Sequence, residues 1–169
     1  QTNGTYYKAL SLSFTDPWLG GRRPNSFTLS GYISEQNNAY YIWQTATMYY
    51  RSVGVFAGLG KRMQWPDPYF TFYGELGYQH YGLKGWDSFI LSDGNANTLS
   101  LKLVLQRSSV DAPFFSRSGS EFTLSVQATP PFSLWDGKNY ADPALSDQDR
   151  YRWIEFHKWL LKGRWYFRL

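Results

Sequence analysis

Cysteine is absent from this chain of 169 residues, and histidine occurs twice, at His80 and His157. The first absence removes disulfides, thiolate zinc sites, iron–sulfur clusters and a cysteine nucleophile together, and the second leaves too few imidazoles for a metal centre. No run of apolar residues approaches the roughly 18 to 20 that a membrane-spanning helix needs. Charge is sparse: 17 Lys and Arg against 13 Asp and Glu leave a net +4, and the basic residues are scattered, which argues against nucleic acid as a partner. The chain opens at Gln1 rather than at a methionine, as expected of a processed chain or a fragment. What it has in excess is aromatic: 8 Trp, 14 Tyr and 12 Phe make up 20% of it.

The dominant pattern is alternation with a period of two, which sends every other side chain to the same face of a strand. Leu10, Leu12 and Phe14 alternate with Ser11, Ser13 and Thr15. Phe27, Leu29 and Ile33 oppose Thr28, Ser30, Tyr32 and Ser34, and Val53, Val55, Ala57 and Leu59 oppose Ser52, Gly54, Gly58 and Gly60. The same alternation runs through Phe70–Gln79, Leu99–Gln106 and Glu121–Ala128. Two weaker runs, Tyr151–Leu160 and Arg164–Leu169, separated by a tight turn near Gly163, bring the expectation to eight strands. A helix from Ser146 to Gly163 is the rival reading of that region, because Ser146 and Asp149 have capping-box spacing and Trp153, Phe156 and Leu160 recur at helical intervals. All eight prolines fall between the runs or at their ends, as hydrogen-bonded strands require. Phe27-Thr28-Leu29-Ser30 returns as Phe122-Thr123-Leu124-Ser125, a short internal repeat.

The connections alternate shorter and longer, which is the asymmetry of an up-and-down transmembrane barrel. The composition of the two rows points the same way. One row is Leu, Val and Phe, with Trp and Tyr gathered near strand ends; the other is Ser, Gly and Thr with a few charges. Aromatic girdles at two interfaces and a polar lumen produce that distribution. The expected lipid-facing residues are Leu10, Leu12, Phe14, Phe27, Leu29, Val53, Val55, Leu99, Leu101, Leu103, Phe122, Leu124 and Val126. Trp18, Trp43, Trp65 and Trp86 are the expected interface aromatics. Glu75, Lys102, Glu121, Glu155, His157, Arg164 and Arg168 are the expected lumen residues. A closed eight-stranded barrel fills its interior with side chains, and rows of Gly and Ser fill it poorly, so the chain reads as part of a wider barrel.

Leu10-Ser11-Leu12-Ser13-Phe14-Thr15-Asp16-Pro17-Trp18-Leu19-Gly20-Gly21 through Ser26 resembles a hairpin in the barrel of BamA-type outer-membrane assembly factors, the bacterial surface antigen family. There, strands commonly end in a Thr-Asp/Glu/Asn-Pro-aromatic turn. Leu105-Gln106-Arg107, Asp111-Ala112-Pro113-Phe114-Phe115 and Ser118-Gly119-Ser120-Glu121-Phe122 resemble a second hairpin, and Val53–Lys61 resembles the Gly-rich strand before a short periplasmic turn. The resemblance covers nearly the whole chain. It implies an all-β, antiparallel up-and-down barrel contributing about eight of sixteen strands, a single partial barrel domain over residues 1–169, and a strand hairpin from Tyr151 onward. The family's periplasmic POTRA domains, its barrel seam and its Arg-Gly-Phe/Tyr loop tip have no counterpart here, so no family functional residue is carried over. The implied role is the folding and insertion of other barrel proteins in the outer membrane of a Gram-negative bacterium, with neither enzymatic chemistry nor a cofactor. Its implied partners are outer-membrane lipid, client β-barrel proteins and the accessory lipoproteins of an assembly complex.

Rival readings are a related secretion or autotransporter assembly barrel, a self-contained eight-stranded barrel, structural or lipid-modifying, and a soluble carbohydrate-binding sandwich. Hydrolysis would need a nucleophile, a base and an orienting acid. His80 on the apolar row reads as a girdle residue, and Glu155 with His157 as part of a bracing polar network. Asp142, Asp147 and Asp149 lack the spacing of an EF-hand loop.

Overall fold

The computed structural model describes residues 2–3, 6–21, 25–39, 45–87, 91–111 and 117–167. Alternation becomes a single antiparallel sheet in which every strand pairs with its neighbours in sequence. A two-residue strand, β1 (Thr2–Asn3), precedes seven long ones: β2 (Tyr7–Asp16), β3 (Asn25–Asn37), β4 (Tyr49–Arg62), β5 (Phe70–Lys84), β6 (Gly94–Ser108), β7 (Gly119–Ala128) and β8 (His157–Tyr166). The long strands run to 10–15 residues, enough to cross a bilayer at a tilt. Two one-turn helices, α1 (Phe132–Trp135) and α2 (Asp147–Arg150), lie in the connection between β7 and β8. Among the described residues no helix is long and apolar enough to cross a membrane.

Six of the eight expected strands are present, and the last two are corrected. A single strand runs through Gly163, which pairs with Phe122, so there is no turn there and no hairpin from Tyr151. The physical reason is a ring: a Cβ on Gly163 would lie 2.8 Å from the indole of Trp165. The glycine is needed for close approach, not for turning. The helical rival survives as α2 alone, with Ser146 as its N-cap accepting from the Asp149 N–H and donating its hydroxyl to the Asp149 carboxylate at 2.8 Å.

The turn after β2 is built as its sequence requires. The Asp16 carboxylate accepts the Trp18 N–H at 2.9 Å, and the Gly21 N–H reaches the Trp18 carbonyl at 2.8 Å. Gly20 and Gly21 take φ of 70° and 69°, a region that side chains disfavour.

Register is stepped across the sheet. The row Phe14, Leu29, Ala57, Leu76, Leu101, Ala128 and His157 starts beside the β2–β3 turn and ends on the first residue of β8. Such a climb is the shear that tilts strands in a barrel. Among the described residues no strand pairs with the outer edge of β8, and β2 carries only the two residues of β1 on its outer side. The sheet is an open partial barrel.

Candidate functional site

Pairing across the sheet sorts the side chains into two faces. Every residue named above as lipid-facing lies on one of them, in rows such as Leu12, Gly31, Val55, Tyr78 and Leu99. On this face large apolar groups stand in the open: Leu12 is 72% exposed and Leu76 54%. The opposite face carries Ser52, Thr98 and Ser100, all buried. A soluble sandwich would bury the first face and wet the second. Here the arrangement is inverted.

The height of the apolar band follows from β4. Its apolar row, Val53, Val55, Ala57 and Leu59, is bracketed by Arg51 at one end and Lys61 at the other. At about 3.3 Å per residue those two charges are about 33 Å apart along the strand. At the ~40° tilt of membrane barrels this projects to about 25 Å, the thickness of their lipid-facing band. Arg51 pairs with Glu35 on β3 at 2.5 Å, closing the band with charge at the long-loop end. At the short-turn end Arg107 reaches Asp67 at 2.9 Å and both Ser109 and Ser120 hydroxyls, tying two turns together. Burial acts to raise the Asp67 pKa, but the Arg107 bond and the Tyr69 N–H outweigh it and hold the carboxyl below its ordinary range.

The polar face is a hydrogen-bonded carpet and not a bare row of small groups. Tyr73 donates to Glu75 at 2.7 Å. Gln79 donates to the Tyr32 hydroxyl at 2.8 Å and accepts from Tyr81 at 3.1 Å. Gln127 donates to Ser100 at 3.2 Å. The glycines exist for these rings: a Cβ on Gly58 would overlap Tyr73, one on Gly54 would overlap Tyr32, and one on Gly77 would lie 2.6 Å from Phe56. In the sequence alone Gly54 and Gly58 read as open lumen space. Tyr32 lies directly opposite Gly54 and Phe56 opposite Gly77, while Tyr73, opposite Gly60, reaches Gly58 diagonally, so the signal is readable only once the register is known.

The expected lumen charges divide. Glu75, Lys102, Glu121 and Arg164 share the polar face, with Glu75 opposite Lys102 and Glu121 paired to Arg164 at 3.5 Å. His157 does not join them. It lies in the row of Leu101 and Ala128, because β8 begins at His157 and its pairing with β7 puts odd-numbered residues on the apolar face. Glu155 lies outside the strand, its carboxylate taken by the Ser133 N–H and, at 2.8 Å, by the Ser133 hydroxyl. The two thus form no pair, and Trp153 stacks on Phe132 with ring centroids 4.4 Å apart. His80 Nδ1 sits 2.8 Å from the Asn97 side-chain oxygen, which also accepts from Tyr78; its partner is an amide, not an orienting carboxylate. Trp18 and Trp65 are exposed at the short-turn end. Trp86, expected in a girdle, instead packs against Tyr50 on the polar side. Trp43 and Arg168 lie outside the described residues.

Among the described residues no group of three or more His, Asp and Glu is placed to hold a metal ion. Asp147 contacts Arg150 at 3.9 Å, and Asp149 contacts Lys138 at 3.7 Å.

An inverted, sheared and open sheet is a piece of membrane-barrel wall, and comparison with known families agrees. The Omp85 superfamily domain matches residues 1–169. The chain belongs to the Omp85 superfamily. Its sheet is a segment of that family's outer-membrane β-barrel. Among solved structures, this Omp85 chain is similar in fold to BamA from Haemophilus ducreyi lacking POTRA domains 1–3, at a TM-score of 0.51 and 17% identity, over 75% of this chain and 26% of that one. It thus spans about a quarter of that structure's length. The search of curated proteins found no match.

Proposed function

We propose that this Omp85 segment is wall of an outer-membrane barrel that folds and inserts client β-barrel proteins in a Gram-negative bacterium, acting without enzymatic chemistry or a cofactor. The observation carrying the reading is the inverted sheet with open edges. Its apolar face suits lipid, its polar face suits an aqueous interior, and its unclosed strands suit a barrel wider than seven strands enclose. Membership of the Omp85 superfamily supports reading that wall as part of a protein-handling barrel. In this reading the segment supplies rigidity: the Tyr-over-Gly carpet and the Glu121–Arg164 pair brace the inner surface, and the turn tie of Arg107 and Asp67 holds the periplasmic rim. Client proteins, accessory lipoproteins and outer-membrane lipid are the partners this role requires.

The test is reconstitution of the full-length protein in liposomes, followed by addition of a urea-denatured barrel protein. Folding of the client, read by its heat-modifiable gel mobility, should run faster than in empty liposomes of the same lipid. Equal rates would overturn the assembly role while leaving the membrane wall in place.

A further inference from the structure

The connection between β7 and β8 is a built platform. Because β6 overhangs β7, which pairs with it only from Leu101 onward, the β6 edge at Asn97 is open to the loop. The Asn97 N–H donates to the Arg152 carbonyl at 2.8 Å, and the Ile154 N–H donates to the Asn97 carbonyl at 2.8 Å. Gln148 clasps Asn95 by two bonds, accepting its N–H at 2.7 Å and donating to its carbonyl at 2.8 Å. Glu155 holds the start of α1 through Ser133. Two anchors to β6 and one clasp within the loop preorganise it, which lowers the entropic cost of binding.

The platform forms an open pocket of about 290 Å³ whose apolar wall is Phe132, Trp135 and Trp153. Phe132 is stacked on Trp153 and meets Trp135 edge-on at 6.1 Å, yet Trp135 remains 68% exposed. The rim is polar and mostly engaged. Lys138 faces Asp149 at 3.7 Å. Asp136 accepts the Tyr140 hydroxyl and, at 3.1 Å, the Lys138 N–H. Arg152 differs: its carbonyl is used by Asn97, while among the described residues its guanidinium has no ion pair or hydrogen bond.

We propose that this pocket binds a single sugar ring carrying one carboxylate or phosphate. The ring's C–H face covers the Trp135 indole, its anionic group meets the Arg152 guanidinium, and its hydroxyls share the Asp136 and Tyr140 edge. A purely aromatic or aliphatic guest would strip water from those rim carboxylates without replacing its hydrogen bonds. A sugar presents an apolar face and a hydrogen-bonding edge together, which this pocket matches. The volume lies at the small end of ligand pockets, room for one ring with its substituent. The assignment does not rest on the assembly role proposed above.

The experiment uses the full-length protein in detergent with four probes: glucuronic acid, glucose 1-phosphate, glucose and inorganic phosphate, read by saturation-transfer NMR and calorimetry. The two anionic sugars should bind, and glucose should bind about tenfold more weakly for want of one charge-assisted contact. Arg152→Gln, which keeps the carbonyl that Asn97 uses, should erase that difference. Trp135→Ala should remove binding of all three sugars in protein whose gel mobility shows an intact barrel. Inorganic phosphate binding as well as glucose 1-phosphate, glucose matching glucuronic acid, or no probe binding would each overturn the proposal. So would quenching of Trp135 fluorescence by brominated lipid in nanodiscs, which would make the indole a membrane anchor instead.

Discussion

At the scale of single residues the two faces of the sheet predict opposite responses to the same chemistry. Leu101, midway along β6 on the open apolar face, should tolerate Arg badly, at a cost of about 2–4 kcal/mol. Ser13→Arg, on the exposed end of the polar row, should cost well under half as much. Urea midpoints in lipid vesicles read both, and equal penalties would reverse the face assignment. Ser100, also on the polar row, is no mild control, since it is 4% exposed beneath Gln127. Glycine supplies a second contrast. Gly58→Ala pushes Tyr73 off its bond to Glu75 and should destabilise by about 1–3 kcal/mol. Gly31→Ala, whose added Cβ would stay 3.4 Å from its nearest neighbour, should change stability by about 0.5 kcal/mol or less.

Elements respond through their ties. Asp67 has a folded pKa below its ordinary value. Its stabilisation is therefore full above the unfolded carboxylate range, near pH 4, and is lost as pH falls through the folded value. Amide exchange at Tyr69, whose N–H Asp67 accepts at 2.9 Å, should accelerate on acidification below that range. Arg107→Ala should shift the onset to higher pH. In the β7–β8 connection, Glu155→Ala should raise exchange across residues 129–156 while leaving the sheet protected, and His157→Ala should leave the loop unchanged. A large coupling between those two substitutions would restore the lumen pair that the geometry rejects. Here the sequence misled for a definite reason: Trp153, Glu155, His157 and Trp159 alternate correctly, but only the last two are in a strand.

For the whole molecule, the polarity of the two ends is the property to test. The connections after β2, β4 and β6 share one end, and those after β3, β5 and β7 share the other. The asymmetry is carried by β3–β4 and β7–β8, since the β5–β6 connection, residues 85–93, is no longer than the β6–β7 one, residues 109–118. The lack of cysteine makes the chain's own reporters clean. A Lys138→Cys variant should react with an impermeant maleimide on intact cells, whereas Trp65→Cys should react only after the outer membrane is opened. The reverse labelling pattern would invert the barrel. The internal repeat takes on meaning at this scale: Phe27–Ser30 and Phe122–Ser125 both lie near the short-turn starts of outgoing strands, β3 and β7, and present Phe and Leu to the same face.

Six strands, β2 to β7, and their two faces were determined locally, because a period of two fixes which way each side chain points and proline cannot sit inside a ladder. The Asp16–Gly21 turn was legible for the same reason: its bonds lie within six residues. Tertiary structure alone decided what depends on contacts between distant segments. The role of Gly58 and Gly77 is set by rings that reach them from Tyr73 and Phe56 on the neighbouring strand, and a strand glycine without its covering ring reads as a void. Gly163 reads as a turn until β8 pairs straight through it with β7. The Trp153 platform likewise exists only because β6 outruns β7, a stagger of register that no single segment encodes.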